Sequence, residues 1–128
     1  MGLLFELCTF LWIVSDDSML SAKARDIFVD HDNDVYLSVV STWEISIKYA
    51  LGKLSLPDDP IRYIPMIREK HGIHTMPLSE EATLHLPKLP DYHKDPFDRM
   101  LICQAIIDGM VILSPDDLIA QYPIRNVW

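Results

Sequence analysis

Hydrophobic positions along this chain fall into short continuous runs and helically spaced sets, and their alternation predicts strand, helices, strand, helices. The run Leu3-Leu4-Phe5-Glu6-Leu7 is apolar on both alternation phases, as in a central parallel strand covered on two sides. From Ser18 to Val29, Leu20, Ala24, Ile27 and Phe28 recur at helical spacing opposite a polar face. His31-Asp32-Asn33-Asp34 reads as a turn, and Val35 to Val39 as a second strand. Ser41 stands three residues before Glu44, the spacing of a capping box, so a helix is predicted to spring near Ser41 or Thr42. It covers Trp43 to Leu51 and stops at Gly52.

The pattern continues through a loop at Pro57 to Pro60, a helix over Ile61 to Lys70 made irregular by Pro65, and a short strand at His74-Thr75-Met76. A helix near Ser79 to Leu84 follows, then a proline-rich loop through Pro87, Pro90 and Pro96. A helix from Pro96 to Asp108 ends at Gly109. After it come a strand at Met110 to Leu113, a short helix near Leu118, and a last strand at Ile124 to Val127. This order predicts the α/β class, with helices on both faces of a sheet. No repeat or low-complexity tract divides the chain, and 128 residues suit a single domain over 1–128.

Composition supports a folded chain: 49% of residues are hydrophobic and 23% charged. Charge changes the picture more. Nineteen Asp and Glu against eleven Lys and Arg give a net charge of -8, which excludes a basic coat that would hold nucleic acid by general phosphate attraction. Cys8 and Cys103 show no metal or redox spacing, and each is expected as a small buried hydrophobe in a reducing, cytoplasmic setting. The apolar opening from Leu3 to Val14 lacks a basic flank, carries Glu6 and falls short of the roughly 20 residues that span a bilayer, so it is read as folded and no membrane is expected.

Sorting the carboxylates by element gives the candidate chemistry. Glu6 ends the first predicted strand, and Asp116 lies just past the fourth. Glu44 and Asp98 fall on the first turns of the helices that follow strand two and precede strand four. In an open parallel sheet these positions share one rim, where ligands collect. Such a cluster repels itself without a cation. Carboxylate oxygens suit Mg²⁺ or Mn²⁺, which can acidify water and neutralise a phosphodiester during in-line displacement, the chemistry of a hydrolytic nuclease. Structural roles stand beside these: Glu44 pairing with Lys48 at i, i+4, Asp98 at a helix N-terminus, Asp95 as that helix's N-cap, and Asp116 as a turn residue. With Asp95 included, five carboxylates on the rim would leave only -3 for the remaining surface.

Several motifs carry a resemblance: TFLW at Thr9 to Trp12, SAKAR at Ser21 to Arg25, STWEISIKYALGKL from Ser41 to Leu54, MPLSEE at Met76 to Glu81, LPKLPDYHKDPFDRMLICQA from Leu86 to Ala105, and SPDDLIAQYP from Ser114 to Pro123. Together they resemble PIN domains, and among them the VapC toxins of type II toxin-antitoxin pairs, over nearly the whole chain. The resemblance implies a three-layer α/β/α sandwich around a central, mostly parallel sheet. It implies an endoribonuclease that hydrolyses RNA by a Mg²⁺- or Mn²⁺-activated water. It also implies a VapB-like antitoxin as partner, DNA contacted only through that complex, and a homodimer, for which Trp12, Ile13 and Phe28 are candidate interface residues that equally suit the core.

By resemblance, the acidic site positions fall on Glu44, Asp98 and Asp116, with Asp95 a nearby carboxylate. The first position departs from the pattern: Glu6-Leu7-Cys8 stands where such toxins usually read Asp-Thr-His. The extra methylene of Glu6 moves its oxygens by about 1 Å, a misplacement that can lower a rate roughly a hundredfold. A degenerate domain that binds antitoxin without cleaving RNA is therefore the alternative reading. Arg99, Lys48 and Lys94, with Lys53 and His93, are the cations expected to hold RNA locally. Trp12 and Trp43 are expected in core or interface packing, and His31, His71, His74 and His85 show no ligand spacing.

Overall fold

The structure, a computed structural model, describes residues 2–128. Strands β1 (Gly2–Phe5), β2 (Asp34–Ser38), β3 (His74–Met76), β4 (Val111–Leu113) and β5 (Asn126–Val127) form one parallel sheet in the order β3-β2-β1-β4-β5. Strand β1 is central: Leu3, Leu4 and Phe5 lie opposite Val35, Tyr36 and Leu37 on one side and Val111, Ile112 and Leu113 on the other. The chain winds outward from β1 to β3, then crosses back to β4. The strand order therefore reverses between β1 and β4, which makes that gap the topological switch point.

Helices cover both faces, as expected for a sheet apolar on both phases. Leu3 and Phe5 pack with Phe10 and Ile13 of α1 (Leu7–Ser15), Ala24 of α2 (Ala22–Val29), Ile45 of α3 (Val39–Ala50), and Ile64 and Ile67 of α4 (Pro60–Lys70). Leu4 and Ile112 face the opposite layer, with Ala82 of α5 (Glu80–His85) and Leu101, Ile102 and Ala105 of α6 (Pro96–Asp108). This is the expected three-layer sandwich. Helix α6 ends at Gly109, whose φ of 66° lets the Met110 amide turn back to the Ala105 carbonyl.

Two local expectations are corrected. The first strand stops at Phe5, and Leu7 opens helix α1, which the sequence reading lacked. A run apolar on every position fits either element, and here the Glu6 carboxylate accepts the Thr9 amide and starts a helix. Ser38, not Ser41, caps α3: its Oγ accepts the Val40 amide at 3.0 Å, so the β-branched Val39-Val40 pair opens the helix instead of prolonging the strand. Ser41 is fully buried inside α3, and Glu44 lies on its second turn rather than its first.

For the dimer candidates the core alternative is the one seen within the chain. Ile13 is core, Trp12 packs on Trp128 with ring centroids 5.7 Å apart, and Phe28 packs on Phe5 at 6.0 Å. Pro65 does not break α4. No helix among the described residues is long and apolar enough to cross a membrane.

Ser38 also joins the sheet to α6, donating to Gln104 Oε1 at 2.6 Å, while Gln104 Nε2 donates to the Pro77 carbonyl at 3.2 Å. All of this lies in a layer with no competing water, since Ser38 and Gln104 are fully buried. Ser38→Ala removes the cap and leaves the buried Gln104 oxygen without its donor. The variant is expected to lose about 2 kcal/mol of unfolding free energy in urea titration, and an unchanged midpoint would contradict this role.

Candidate active site at the carboxyl edge of the sheet

The acidic residues gather at the switch point because β1 and β4 end there and because α1, α3 and α6 begin near that edge. Glu6 follows β1 directly and caps α1: its Oε1 accepts both the Thr9 amide and the Thr9 hydroxyl, each at 2.9 Å. The longer Glu side chain is thus folded back onto the first helical turn and held by two donors. Burial raises its pKa above the ordinary carboxylate value against the lowering effect of Thr9, and repulsion from Asp116 and Glu44 adds to the rise.

Glu44 is buried, at 5% exposure, and its Oε2 accepts from Lys48 Nζ at 2.7 Å. The i, i+4 pair is present, and it lies at the acidic edge instead of on a solvated face. The Glu44 carboxylate in turn holds the Lys48 ammonium above its usual value. Asp95 caps α6, its Oδ1 accepting the amides of Phe97 at 2.8 Å and Asp98 at 3.1 Å. Asp116 follows β4, its Oδ1 taking the Leu118 amide at 2.9 Å.

Asp98 carries the tension of the site. Its pKa is raised from 3.8 to about 7, first by burial, then by repulsion from Asp95 and Glu6, with His93 acting in the opposite direction and Glu44 adding a smaller push. A buried carboxylate facing others and retaining a proton up to neutrality lacks positive charge. The hard oxygen donors at this edge suit a Mg²⁺- or Mn²⁺-sized ion.

His93 and Arg99 differ from expectation. His93 is not an exposed cation for RNA. It is buried with its Nε2 2.9 Å from Asp116 Oδ2 and 3.2 Å from Asp98 Oδ2, and these three side chains offer donor atoms all within 4.8 Å of one another. Arg99 turns into the preceding loop, its Nη1 donating to the carbonyls of Pro90 at 3.0 Å and His93 at 3.2 Å, beside an ion pair with Asp91. Lys94 is exposed. The sequence clue to His93 was its place two residues before Asp95 within HKDPFDR; spacing alone does not show which way the loop turns it.

Four further residues are placed as follows. Leu7 is buried in the core. Cys8 is exposed rather than buried, and lost hydration followed by Glu6 repulsion push its thiol pKa upward. Trp43 is 61% exposed and meets Phe97 edge on, with centroids 5.2 Å apart, so it is neither core nor fully free. Cys103 is buried as expected.

The fold is an open parallel α/β domain with carboxylates at its switch point. The profile of the PIN domain matches residues 8–124, and the chain belongs to that family. A 63-residue stretch, 49% of the chain, is 35% identical to Ribonuclease VapC16 of Mycobacterium tuberculosis (strain ATCC 25618 / H37Rv). That stretch covers 45% of the relative, so the chain spans about half the length of the curated protein it matches.

Among solved structures, VapBC2 from Rickettsia felis, bound to a DNA fragment from its promoter, contains a chain that superposes with a TM-score of 0.74 at 10% identity. The match covers 99% of this chain and 98% of that one. VapBC-1 from nontypeable Haemophilus influenzae gives 0.70 at 15% identity, over 99% and 97%. At these identities the likeness is one of fold.

The raised Asp98 pKa has a definite sign for stability. The folded state holds this proton up to about pH 7, whereas the unfolded chain releases it near 3.8. The folded state thus binds more protons through that interval, and stability falls as pH rises from about 4 to about 7. In EDTA, Asp98→Asn is expected to exceed the unsubstituted protein in unfolding free energy at pH 8 by on the order of 2 kcal/mol, with the difference fading toward pH 4. Urea titrations across that range measure it, and parallel pH profiles would contradict the assignment.

Proposed function

We propose that this chain is a divalent-metal-dependent endoribonuclease, the toxin of a type II toxin-antitoxin pair, acting in the cytoplasm. The observation that carries the reading is that Asp98 and Asp116 come together at the switch point, close enough to Glu6 and Glu44 to feel their charge, with the Asp98 pKa raised to about 7 first by burial and then by its acidic neighbours. Membership of the PIN family and the ribonuclease name of the 35% identical relative support the same chemistry.

In this reading Glu44, Asp98 and Asp116 hold Mg²⁺ or Mn²⁺ with Glu6, while Asp95 caps α6 and adds negative potential. When bound, the ion supplies charge neutralisation at the phosphodiester and a more acidic water for in-line attack. The chain's own residues set the stage. Thr9 fixes the Glu6 carboxylate, and Lys48 fixes Glu44 while its partly exposed ammonium, with Lys94, is available to an RNA phosphate. Arg99 serves substrate only indirectly, by shaping the loop before α6. No side-chain nucleophile is needed, and the raised thiol pKa of Cys8 leaves it protonated.

The partner is a VapB-like antitoxin. The solved relatives are VapBC assemblies, one of them on promoter DNA, and a chain of net charge -8 is poorly suited to hold DNA by itself. Contact with DNA therefore runs through the antitoxin. The Glu6-Leu7-Cys8 departure keeps a non-cleaving, antitoxin-binding domain as the rival reading, but the anchoring of Glu6 by Thr9 next to the other carboxylates favours the enzyme.

Incubation with a structured RNA pool and Mn²⁺ separates the two readings. Cleavage is expected with Mn²⁺, is abolished by EDTA, and falls by at least about a hundredfold in Asp98→Asn. Absence of cleavage under every condition, with an antitoxin peptide still bound, would overturn the enzymatic reading and leave the binding module.

A further inference from the structure

His93 lies in the loop before α6, yet it is buried at 7% exposure and held from three sides. Its backbone N–H donates to the Tyr122 hydroxyl at 2.8 Å, and that hydroxyl donates onward to the Pro90 carbonyl at 2.7 Å. Arg99 holds the His93 carbonyl. The imidazole Nδ1 accepts the Asp95 amide at 3.1 Å, and Nε2 reaches Asp116 Oδ2. Tyr122 and Asp116 both belong to the connection from β4 to β5, so one segment grips the loop twice, at the His93 backbone and at its ring.

The Asp95 amide decides what the ring can do. A backbone N–H is always a donor, so the Nδ1 it meets must present a lone pair, and the ring proton of the neutral imidazole then resides on Nε2. That N–H points at the Asp116 carboxylate, with Asp98 Oδ2 only slightly farther away. A cation bound at Nε2 would need the opposite tautomer, which sets two N–H groups against each other at Nδ1. Nearness to two carboxylates makes His93 look like a metal ligand; its second nitrogen argues that it is a donor.

We propose that His93 is a positioning residue of the metal site, a fixed Nε2–H donor that aligns Asp116 beside Asp98 for a divalent cation without ligating it. The proposal rests on the metal-site reading above. It explains why Tyr122 and Arg99 both hold the loop whose imidazole meets Asp98 and Asp116. Hydrogen bonds to ligating carboxylates fix their direction, and their loss typically lowers metal affinity about 10- to 100-fold.

Mn²⁺ binding measured by calorimetry, with pulsed EPR of the bound ion on protein labelled with ¹⁵N-histidine, tests it in the full chain. His93→Leu is expected to weaken Mn²⁺ binding at least about tenfold, while His93→Gln, whose amide NH₂ can take the place of Nε2–H, recovers to within about threefold. Circular dichroism and thermal unfolding report whether either variant folds. The bound ion is expected to show no directly coordinated imidazole nitrogen.

A nitrogen coupling that disappears in His93→Gln would overturn the proposal in favour of ligation. Unchanged affinity in a folded His93→Leu would overturn it in favour of a spectator. Failure of the unsubstituted protein to bind Mn²⁺ would overturn the metal reading itself, and the proposal with it.

Discussion

Repulsion among carboxylates brought to one edge of a parallel sheet is the constraint on which the remaining features depend. The switch point between β1 and β4 puts Glu6 and Asp116 at neighbouring strand ends, and helices α3 and α6 add Glu44 and Asp98. Placing negative groups together out of water is unfavourable, and the surrounding structure responds to it. Thr9 donates twice to Glu6, Lys48 pairs with Glu44, the Leu118 amide and His93 serve Asp116, and the Asp95 cap sets the turn that carries Asp98. These donors compensate the cluster only in part, and burial followed by repulsion from Asp95 and Glu6 raises the Asp98 pKa to about 7. In the proposed function a divalent cation would supply what is missing.

The same constraint reinterprets the chain's acidity. A net charge of -8 suggests a surface that rejects nucleic acid. With several of those charges concentrated at one rim, the deterrent is local, and it is removed by the ion that the proposed chemistry requires. The positive groups nearby are few: Arg99 is committed to loop carbonyls, Lys48 is partly exposed while paired with Glu44, and Lys94 is exposed.

The succession of strands and helices was legible because it follows from local pattern, and the expectation of an acidic rim follows from it. Runs apolar on both phases mark the buried strands, and position after a strand or at a helix start puts a residue at the carboxyl edge whatever its contacts. Helix α1 was not legible, since Leu7 to Val14 is apolar at every period and only the Glu6 carboxylate on the Thr9 amide turns the chain into a helix. The start of α3 was displaced for a related reason: Ser38 caps it only because Gln104, far along the chain, holds the same hydroxyl. His93 and Arg99 were assigned to RNA because both are basic and near the site in sequence. Their inward turn depends on Tyr122, 29 residues beyond His93, and no local pattern carries that contact.

The account stands on one central claim, that the carboxyl edge between β1 and β4 is a divalent-cation site. The direct measurement is anomalous diffraction from crystals of the full chain soaked in Mn²⁺. The account predicts an anomalous peak in coordination range of the Glu44, Asp98 and Asp116 carboxylates, absent from Asp98→Asn crystals. An empty acidic edge beside a peak elsewhere on the protein would contradict it.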